Sequence, residues 1–211
     1  VALARAVTRF MTSHAEAHCI IAGAGPSREE ILAIFEEQGL TARLHMPGLL
    51  VAPELMDAYA AMDVFAFTSQ TETQGMVLTE AMAAGVPVVA VDASGAREVV
   101  IDGVNGRLLP RQDLDEFAAA LAWIANLEDD ERARMSGEIA KTASAFSMDR
   151  SADRTLDLYR SMIEEGAGVG RRELGAWAVT RRRIEEEMRI LSNIAHAATD
   201  SILAHEPPGQ R

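Results

Sequence analysis

Residues 71–91 have the sequence TETQGMVLTEAMAAGVPVVAV, in which Glu80 is the only charged residue after Glu72. Charged residues make up 25% of the whole chain, so a stretch of this length with so little charge indicates a largely buried segment. The segment therefore marks the hydrophobic core, and its flanking sequences indicate how that core is built.

Two short apolar runs are separated by a helical segment. Residues 64–68 (VFAFT) and 87–91 (PVVAV) are each typical of a strand that is buried on both faces. Between them we predict a helix that Thr71 or Thr73 caps at its N-terminus and that Gly85 ends at its C-terminus. The order strand, loop, helix, strand is typical of a parallel sheet.

The same alternation of strands and helices continues on both sides of this unit. It predicts an α/β domain with a mostly parallel sheet and helices on its faces. Further strands are predicted at 18–23, 43–46 and 107–109, and helices at 3–10, 27–38, 53–62, 114–127, 129–145 and 148–165.

The start of the helix within 71–91 has the properties of an anion site. Helix N-termini that follow parallel strands present unpaired N–H groups and a positive dipole end, and Gly75 lets the backbone approach a ligand closely. Glu80 follows in an otherwise apolar helix, so its carboxylate needs hydrogen-bond donors such as those of a ribose diol. The alternative is that Glu72 is a solvated loop residue and that Glu80 lies on the solvent-exposed face of a surface helix.

A Glu, any seven residues and a second Glu, followed by AMAAGVPVVA, resembles the donor-site signature of family 4 of the retaining glycosyltransferases. The resemblance extends over residues 1–165 through AGAGP at 22–26, MDVF at 62–65 and GVNGRLL at 103–109. It implies a Rossmann-like domain that forms the second, donor-binding half of a GT-B fold. It also implies retaining transfer of a sugar from a nucleotide sugar to an acceptor.

The resemblance assigns roles to residues of the signature. Glu72 is the catalytic residue and contacts the donor sugar, whereas Glu80 contacts the ribose. The backbone amides of Gly75 and Met76 bind the donor phosphate.

Other donor-binding positions are also implied by the resemblance. Thr73 and Gln74 replace a glycine and an aromatic residue that are common in the family, and are more similar to the branch that glucosylates glycolipids. The turn with Gly23 and Gly25 lies near the nucleoside, and Leu50 lies near the base, although a Gly-x-Gly is equally typical of an ordinary strand-to-helix turn. The donor is UDP- or GDP-linked, and neither a metal ion nor a cofactor is expected.

The composition indicates which binding partners and which cellular compartment to expect. The net charge of -12 argues against nucleic acid, whose phosphates need a basic surface. The apolar runs are shorter than the ~20 residues that span a bilayer, and no signal peptide is recognisable, so we expect a cytoplasmic protein. Cys19 lies in an apolar run and is predicted to be a buried small hydrophobe.

The N-terminus of the chain lies directly in the predicted helix 3–10. In the resembled family this helix follows a strand with a Gly-Arg turn and a nearby Lys, which clamp the pyrophosphate, and an acceptor-binding domain precedes them. We therefore expect residues 1–211 to be part of a longer polypeptide and to be inactive alone. The family's preceding strand would lie between strands 18–23 and 64–68.

A glycine-rich run at 166–170 is predicted to end the domain at residue 165 and to begin a helical extension, 166–211. In the extension an apolar seam with steps of four and three residues indicates a helix that needs a partner surface. It consists of Ile184, Met188, Leu191, Ala195, Ala198 and Ile202. Packing on the protein itself is favoured, and the alternatives are a homodimer or contact with the inner face of an anionic membrane.

Two functional hypotheses follow from these patterns. The first is a glycosyltransferase domain, whose acceptor, a glycolipid or another glycan, the sequence does not identify. The second is a nucleotide-binding module without catalysis, or an interaction module that acts through its terminal helix.

Overall fold

The structure is a computed structural model that describes residues 1–69 and 75–169. The strands are β1 (Cys19–Ala22), β2 (Leu44–Gly48), β3 (Phe65–Phe67), β4 (Val88–Val91) and β5 (Gly106–Leu109). The helices are α1 (Ala2–Ser13), α2 (Arg28–Glu37), α3 (Glu54–Ala60), α4 (Met76–Ala83), α5 (Ser94–Val99), α6 (Leu114–Ala125), α7 (Asp129–Ala145) and α8 (Met148–Val169), with a short 3₁₀ turn at Thr41–Arg43.

All strand pairs are parallel, and the described strands form two sheets. One sheet has the order β3-β4-β5, and the other consists of β1 and β2. The predicted α/β class with a parallel sheet and flanking helices is therefore confirmed. The position expected for a preceding strand, between residues 18–23 and 64–68, coincides with the division between the two sheets, and the strand itself stays a prediction.

The central strand β4 is buried along its whole length, as its apolar sequence predicts. Side chains alternate across a strand, so Val88 and Ala90 pack in one cluster with α4, α5 and α7. Val89 and Val91 point to the opposite face and pack with α1 and α6. The three-stranded sheet therefore has helices on both faces, which explains its continuous apolar run.

The two-stranded sheet packs against α1 and α2. Cys19 and Leu44 contact a cluster that contains Ile34 and Phe35 of α2. Cys19 is half-buried, and burial raises the pKa of its thiol to about 11, as expected for an apolar position rather than a nucleophile. Helix α1 contributes to the core of both sheets. Its Val7 and Phe10 pack in the cluster around Val89 and Val91 and also in the cluster around Ile34 and Phe35.

Helix α8 differs from the prediction at its end. It continues to Val169 through two glycines, so the predicted break at Gly166 is wrong. Glycine costs a helix about 1 kcal/mol, which neighbouring turns of a long helix can offset.

The chain divides into two compact units. The first is Val1–Ser151 and the second begins at Ala152, whereas the predicted domain boundary at residue 165 stays a prediction. The seam at 184–202 lies outside the described residues.

A helix that crosses a bilayer must be both long and apolar. None of the helices within residues 1–69 and 75–169 meets both requirements.

Candidate functional site

Gly75 forms the N-terminal cap of α4. Its backbone is left-handed, with φ 60° and ψ 27°, and its carbonyl accepts a hydrogen bond from the amide of Leu78 at 2.9 Å. A Cβ at this position would lie 2.6 Å from the carbonyl oxygen of Gly95, in the first turn of α5. Only glycine satisfies both conditions, so Gly75 joins the start of α4 to the chain that leaves β4.

Capping by Gly75 corrects part of the prediction for α4. Thr71 and Thr73 were the predicted caps, but the helix begins at Met76, with Gly75 at the cap position. Both threonines precede that position and lie outside the described residues. Since the cap residue adopts a left-handed conformation, glycine is favoured there over a threonine, whose β-branched side chain disfavours positive φ.

The C-terminus of α4 ends as predicted at Gly85. Its φ is 83°, its amide donates to the carbonyl of Met82 at 2.9 Å, and the amide of Val86 donates to Ala81 at 3.0 Å. These two bonds form a Schellman motif. Because Leu78, Ala81 and Met82 are also buried, the helix is fixed at both ends and along one face.

Glu80 is half-buried and has a protein donor. The phenol oxygen of Tyr59 in α3 donates a hydrogen bond to Oε2 of Glu80 at 3.0 Å. The tyrosine is 5% exposed, and its ring packs edge-on against Phe65 of β3 at 5.6 Å between centroids. The carboxylate is therefore neither isolated in the core nor free in solvent.

The ionisation of Tyr59 reflects this contact. Burial, and then the hydrogen bond and negative charge of Glu80, raise its pKa to about 12. The phenol is therefore protonated at neutral pH and remains a donor.

Met76 and the glycine before it occupy the first turn of α4. The side chain of Met76 is 55% exposed, whereas Gly75 is buried. The first amides of a helix have no intrahelical partner, which leaves this end suited to an anion.

The turn after β1 lies at the carboxyl edge of its sheet. Gly23 has φ 129°, and its amide donates to the carbonyl of Gly48 at 2.7 Å, which joins the ends of β1 and β2. Gly25 is exposed in the following turn, where its carbonyl accepts from the amide of Arg28. The two glycines thus shape the entry to α2, as predicted.

Leu50 lines an open cavity of about 570 Å³ between the two-stranded sheet and α3. Neither Gly75 nor Glu80 is among the residues that line it, so the cavity and the start of α4 are separate features in the described chain. The lining residues are Ile20, Leu44, His45, Met46, Pro47, Leu50, Glu54 and Ala58.

Three predicted site residues, Glu72, Thr73 and Gln74, lie outside the described residues. The predicted role of Glu72 as the catalytic residue, and those of its two neighbours, stay predictions. Within the chain that the structure describes, Gly75, Met76 and Glu80 lie together on α4, whereas Gly23 and Gly25 lie beside the two-stranded sheet.

Tyr59 is the residue that sequence reasoning missed. It is a hydrogen-bond donor in the segment AYAAM, which is otherwise apolar and directly precedes β3. The sequence argument that Glu80 needs donors considered a ligand and not a side chain of the chain itself. A tyrosine followed by an apolar run was the available signal, because buried phenols usually find a hydrogen-bond partner.

Within residues 1–69 and 75–169, no three His, Cys, Asp or Glu side chains converge as a metal site would require. His18 and His45 form a pair, with 2.9 Å between Nδ1 and Nε2, on the exposed side of the two-stranded sheet.

Comparison with known proteins identifies the family. The profile described as Glycosyl transferases group 1 matches residues 2–142. D-inositol 3-phosphate glycosyltransferase from Mycobacterium avium is 35% identical over 155 residues, which are 73% of this chain and 36% of that protein. The enzyme of the same name from Saccharomonospora viridis is 41% identical over 116 residues, 55% of this chain and 27% of its own length.

Solved structures show the same fold. Anabaena HepE in complex with UDP has a TM-score of 0.65 and 27% identity, over 76% of this chain and 44% of that one. HepE in complex with UDP-glucose has a TM-score of 0.64 and 28% identity over the same shares. Sucrose-phosphate synthase from Thermosynechococcus elongatus has a TM-score of 0.66 at 24% identity, over 77% of this chain and 43% of that one, and supports the fold alone.

The chain belongs to the group 1 glycosyl transferases, the family that the donor-site signature indicated, and it has the Rossmann-like fold of a GT-B domain. It spans about a third of the length of the curated Mycobacterium avium relative that it matches.

Proposed function

We propose that this chain binds a nucleotide-activated sugar at the N-terminus of α4 and forms the donor half of a retaining glycosyltransferase. The family membership and the relatives named glycosyltransferases support sugar transfer. The complexes of HepE with UDP and with UDP-glucose support a uridine nucleotide sugar as the first donor to test.

The observation that carries the proposal is the geometry of α4. Its N-terminus is capped by a left-handed Gly75, where a Cβ would lie 2.6 Å from the carbonyl oxygen of Gly95, and the carboxylate of Glu80 accepts a hydrogen bond from the buried Tyr59. A helix N-terminus suits the pyrophosphate, and a fixed carboxylate suits the two hydroxyls of a ribose. Both features lie on one short helix, so a single ligand can contact them together.

Within this proposal the residues have distinct roles. The amides of Gly75 and Met76 bind the phosphate, Glu80 binds the ribose, and Glu72 contacts the sugar that is transferred. Thr73 and Gln74 complete the sugar site. Gly23 and Gly25 lie near the nucleoside, and Leu50 in the cavity wall lies near the base.

The acceptor is proposed from the relatives' names. The relatives compared are D-inositol 3-phosphate glycosyltransferases, so D-inositol 3-phosphate is the first acceptor to test, followed by glycolipids. Because this chain spans a minor part of those proteins, acceptor recognition belongs to the remainder of the polypeptide. We also propose that the protein is cytoplasmic.

Donor binding is proposed to need no metal ion, because backbone amides and the helix dipole neutralise part of the phosphate charge. The corresponding experiment is donor titration with and without EDTA. Equal affinities are expected, and a loss with EDTA that magnesium restores would contradict this part of the proposal.

The central experiment is calorimetric titration of the natural protein that contains this chain with UDP-glucose and a GDP-linked sugar. Glu80→Ala is expected to weaken binding of the preferred donor by about 1.5–3 kcal/mol, the range for hydrogen bonds to charged groups. Glu37→Ala, at an exposed position near the end of α2, is the matched control and should leave affinity unchanged. Unchanged affinity of Glu80→Ala would refute the ribose role.

Transfer and its stereochemistry need a separate assay. Product analysis by NMR is expected to show a sugar with the anomeric configuration of the donor. Donor binding without transfer to any acceptor of a broad panel would favour the second hypothesis, a nucleotide-binding module without catalysis.

The terminal extension adds two proposals that concern residues outside the described part of the chain. A homodimer through residues 184–202 predicts a change in solution mass when the chain is shortened at residue 169. Contact with the inner face of a membrane predicts flotation with anionic vesicles that the same truncation abolishes.

A further inference from the structure

We propose that Tyr59 is a positioning residue, which holds the Glu80 carboxylate in the orientation that receives the ribose hydroxyls of the donor. The inference rests on the proposed function, because it assumes that Glu80 contacts ribose. It concerns a residue of α3 that belongs to no part of the donor-site signature.

The first step is that Tyr59 itself has a fixed position. Its side chain is 5% exposed and packs in the cluster that contains Leu78 and Met82 of α4. Its ring also contacts Phe65 of β3 edge-on. Contacts with a helix and a strand on two sides leave the phenol oxygen little freedom.

The second step is that Glu80 lacks such restraint by itself. A glutamate has three rotatable side-chain bonds, and ordering a long side chain costs conformational entropy. The phenol, 3.0 Å from Oε2, supplies the restraint before any ligand arrives. A ligand that meets an ordered carboxylate does not lose binding free energy to its ordering.

The third step concerns which oxygen remains for a ligand. An ionised carboxylate is an acceptor only and has about four lone-pair sites, of which the phenol uses one on Oε2. Among the described residues no other side chain donates to Glu80, so Oε1 and the second site of Oε2 can accept from a diol, whose two hydroxyls are donors. The phenol therefore orients the Glu80 carboxylate and leaves it able to accept hydrogen bonds from a ribose.

The competing interpretation is that Tyr59 only fills the core. Tyr59→Phe retains the ring and its packing and removes the hydroxyl, so it separates the two interpretations. If Tyr59 only fills the core, Tyr59→Phe should change the free energy of unfolding. Its effect on nucleotide affinity should then be the same whether or not the ligand has both ribose hydroxyls.

The experiment is a comparison of UDP with 2′-deoxy-UDP and 3′-deoxy-UDP, titrated into the natural protein by calorimetry. Tyr59→Phe is expected to weaken UDP binding about 3- to 10-fold, which is less than the direct loss of a hydrogen bond to a charged group would cause, because the phenol acts through Glu80. Binding of the deoxy analogue that lacks the hydroxyl held by Glu80 should weaken less. In a Glu80→Ala background, Tyr59→Phe should cause no further loss.

The control is Tyr159→Phe, the same chemical change at a tyrosine of α8 that is 58% exposed, and it should not alter binding. Reduced stability of Tyr59→Phe with unchanged UDP affinity, or an equal loss for all three nucleotides, would overturn the positioning role. If Glu80→Ala binds UDP like the wild type, the ribose role of Glu80 fails and the positioning role with it. If the wild type binds neither UDP nor a GDP-linked sugar, the proposed function fails.

Discussion

The three-stranded and two-stranded sheets are built from the same kind of parallel strand but are covered differently. Every residue of β4 is buried, with α4 and α7 on one face and α1 and α6 on the other. Every residue of β1 and β2 retains some exposure. That pair packs on α1 and α2, and residues of both of its strands border the open cavity.

The two sheets also differ in the interactions that join them to their helices. Apolar packing dominates around β4, whereas beside β2 the guanidinium of Arg43 donates to four backbone carbonyls at the end of α1 and in the turn after it. The enclosed sheet packs on α4 through apolar contacts, and the half-covered sheet borders an open cavity.

The largest expected effect is at Gly106, where β5 lies against β4. An alanine Cβ would lie 2.2 Å from the carbonyl oxygen of Val88, and both atoms belong to an enclosed sheet that cannot move apart. Gly106→Ala should destabilise the protein by about 3 kcal/mol or more. Urea denaturation followed by circular dichroism measures it. The control is Gly137→Ala in α7, where the added Cβ meets open space.

A second prediction compares the two sheets directly. Val89→Ala in β4 removes fully buried methyl groups and should cost about 1.5–3 kcal/mol. Ile20→Ala in β1 removes more carbon atoms, but from a half-exposed side chain, and should cost about half as much. Equal losses in denaturant titrations would show that the two sheets are equally enclosed.

Arg43 tests whether polar contacts hold the two-stranded sheet. Arg43→Ala removes hydrogen bonds of 2.8–3.2 Å to the carbonyls of Met11, His14, Ala15 and Ala17 and should cost about 1–2 kcal/mol. Arg43→Lys should recover only part of this, since an ammonium lacks the planar fork. Recovery of full stability by lysine would indicate that charge, not geometry, is what matters.

The last prediction concerns pH and the core beside β3. The pKa of Tyr59 is raised from 10.0 to about 12, so the folded state holds this proton more tightly than the unfolded state. Its contribution to stability is complete below pH 10 and is lost as the pH rises through 12. The wild type should therefore lose more stability than Tyr59→Phe across this range in denaturation measured at each pH. Parallel curves would show that the phenol is not coupled to folding.

Much of the element order was predictable from local sequence. The helix 129–145 has the predicted bounds, and Gly85 ends α4 through the motif expected of a glycine at that position. The helix predicted at 148–165 continues to Val169, because the glycines at 166 and 168 do not end it. Propensity acts residue by residue, whereas a long helix averages over many turns.

For the site, sequence was sufficient to nominate Gly75 and Glu80, since an otherwise apolar helix that contains one carboxylate and follows a glycine is visible without coordinates. The cap itself was expected at Thr71 or Thr73 and is at Gly75. Pattern alone could not assign the partner of Glu80, because Tyr59 lies 21 residues earlier in a different helix. The pattern also could not show that a Cβ at position 75 would clash with the carbonyl oxygen of Gly95. Periodicity and capping are short-range properties of the chain, whereas these two contacts exist only after parallel strands bring α3, α4 and α5 together.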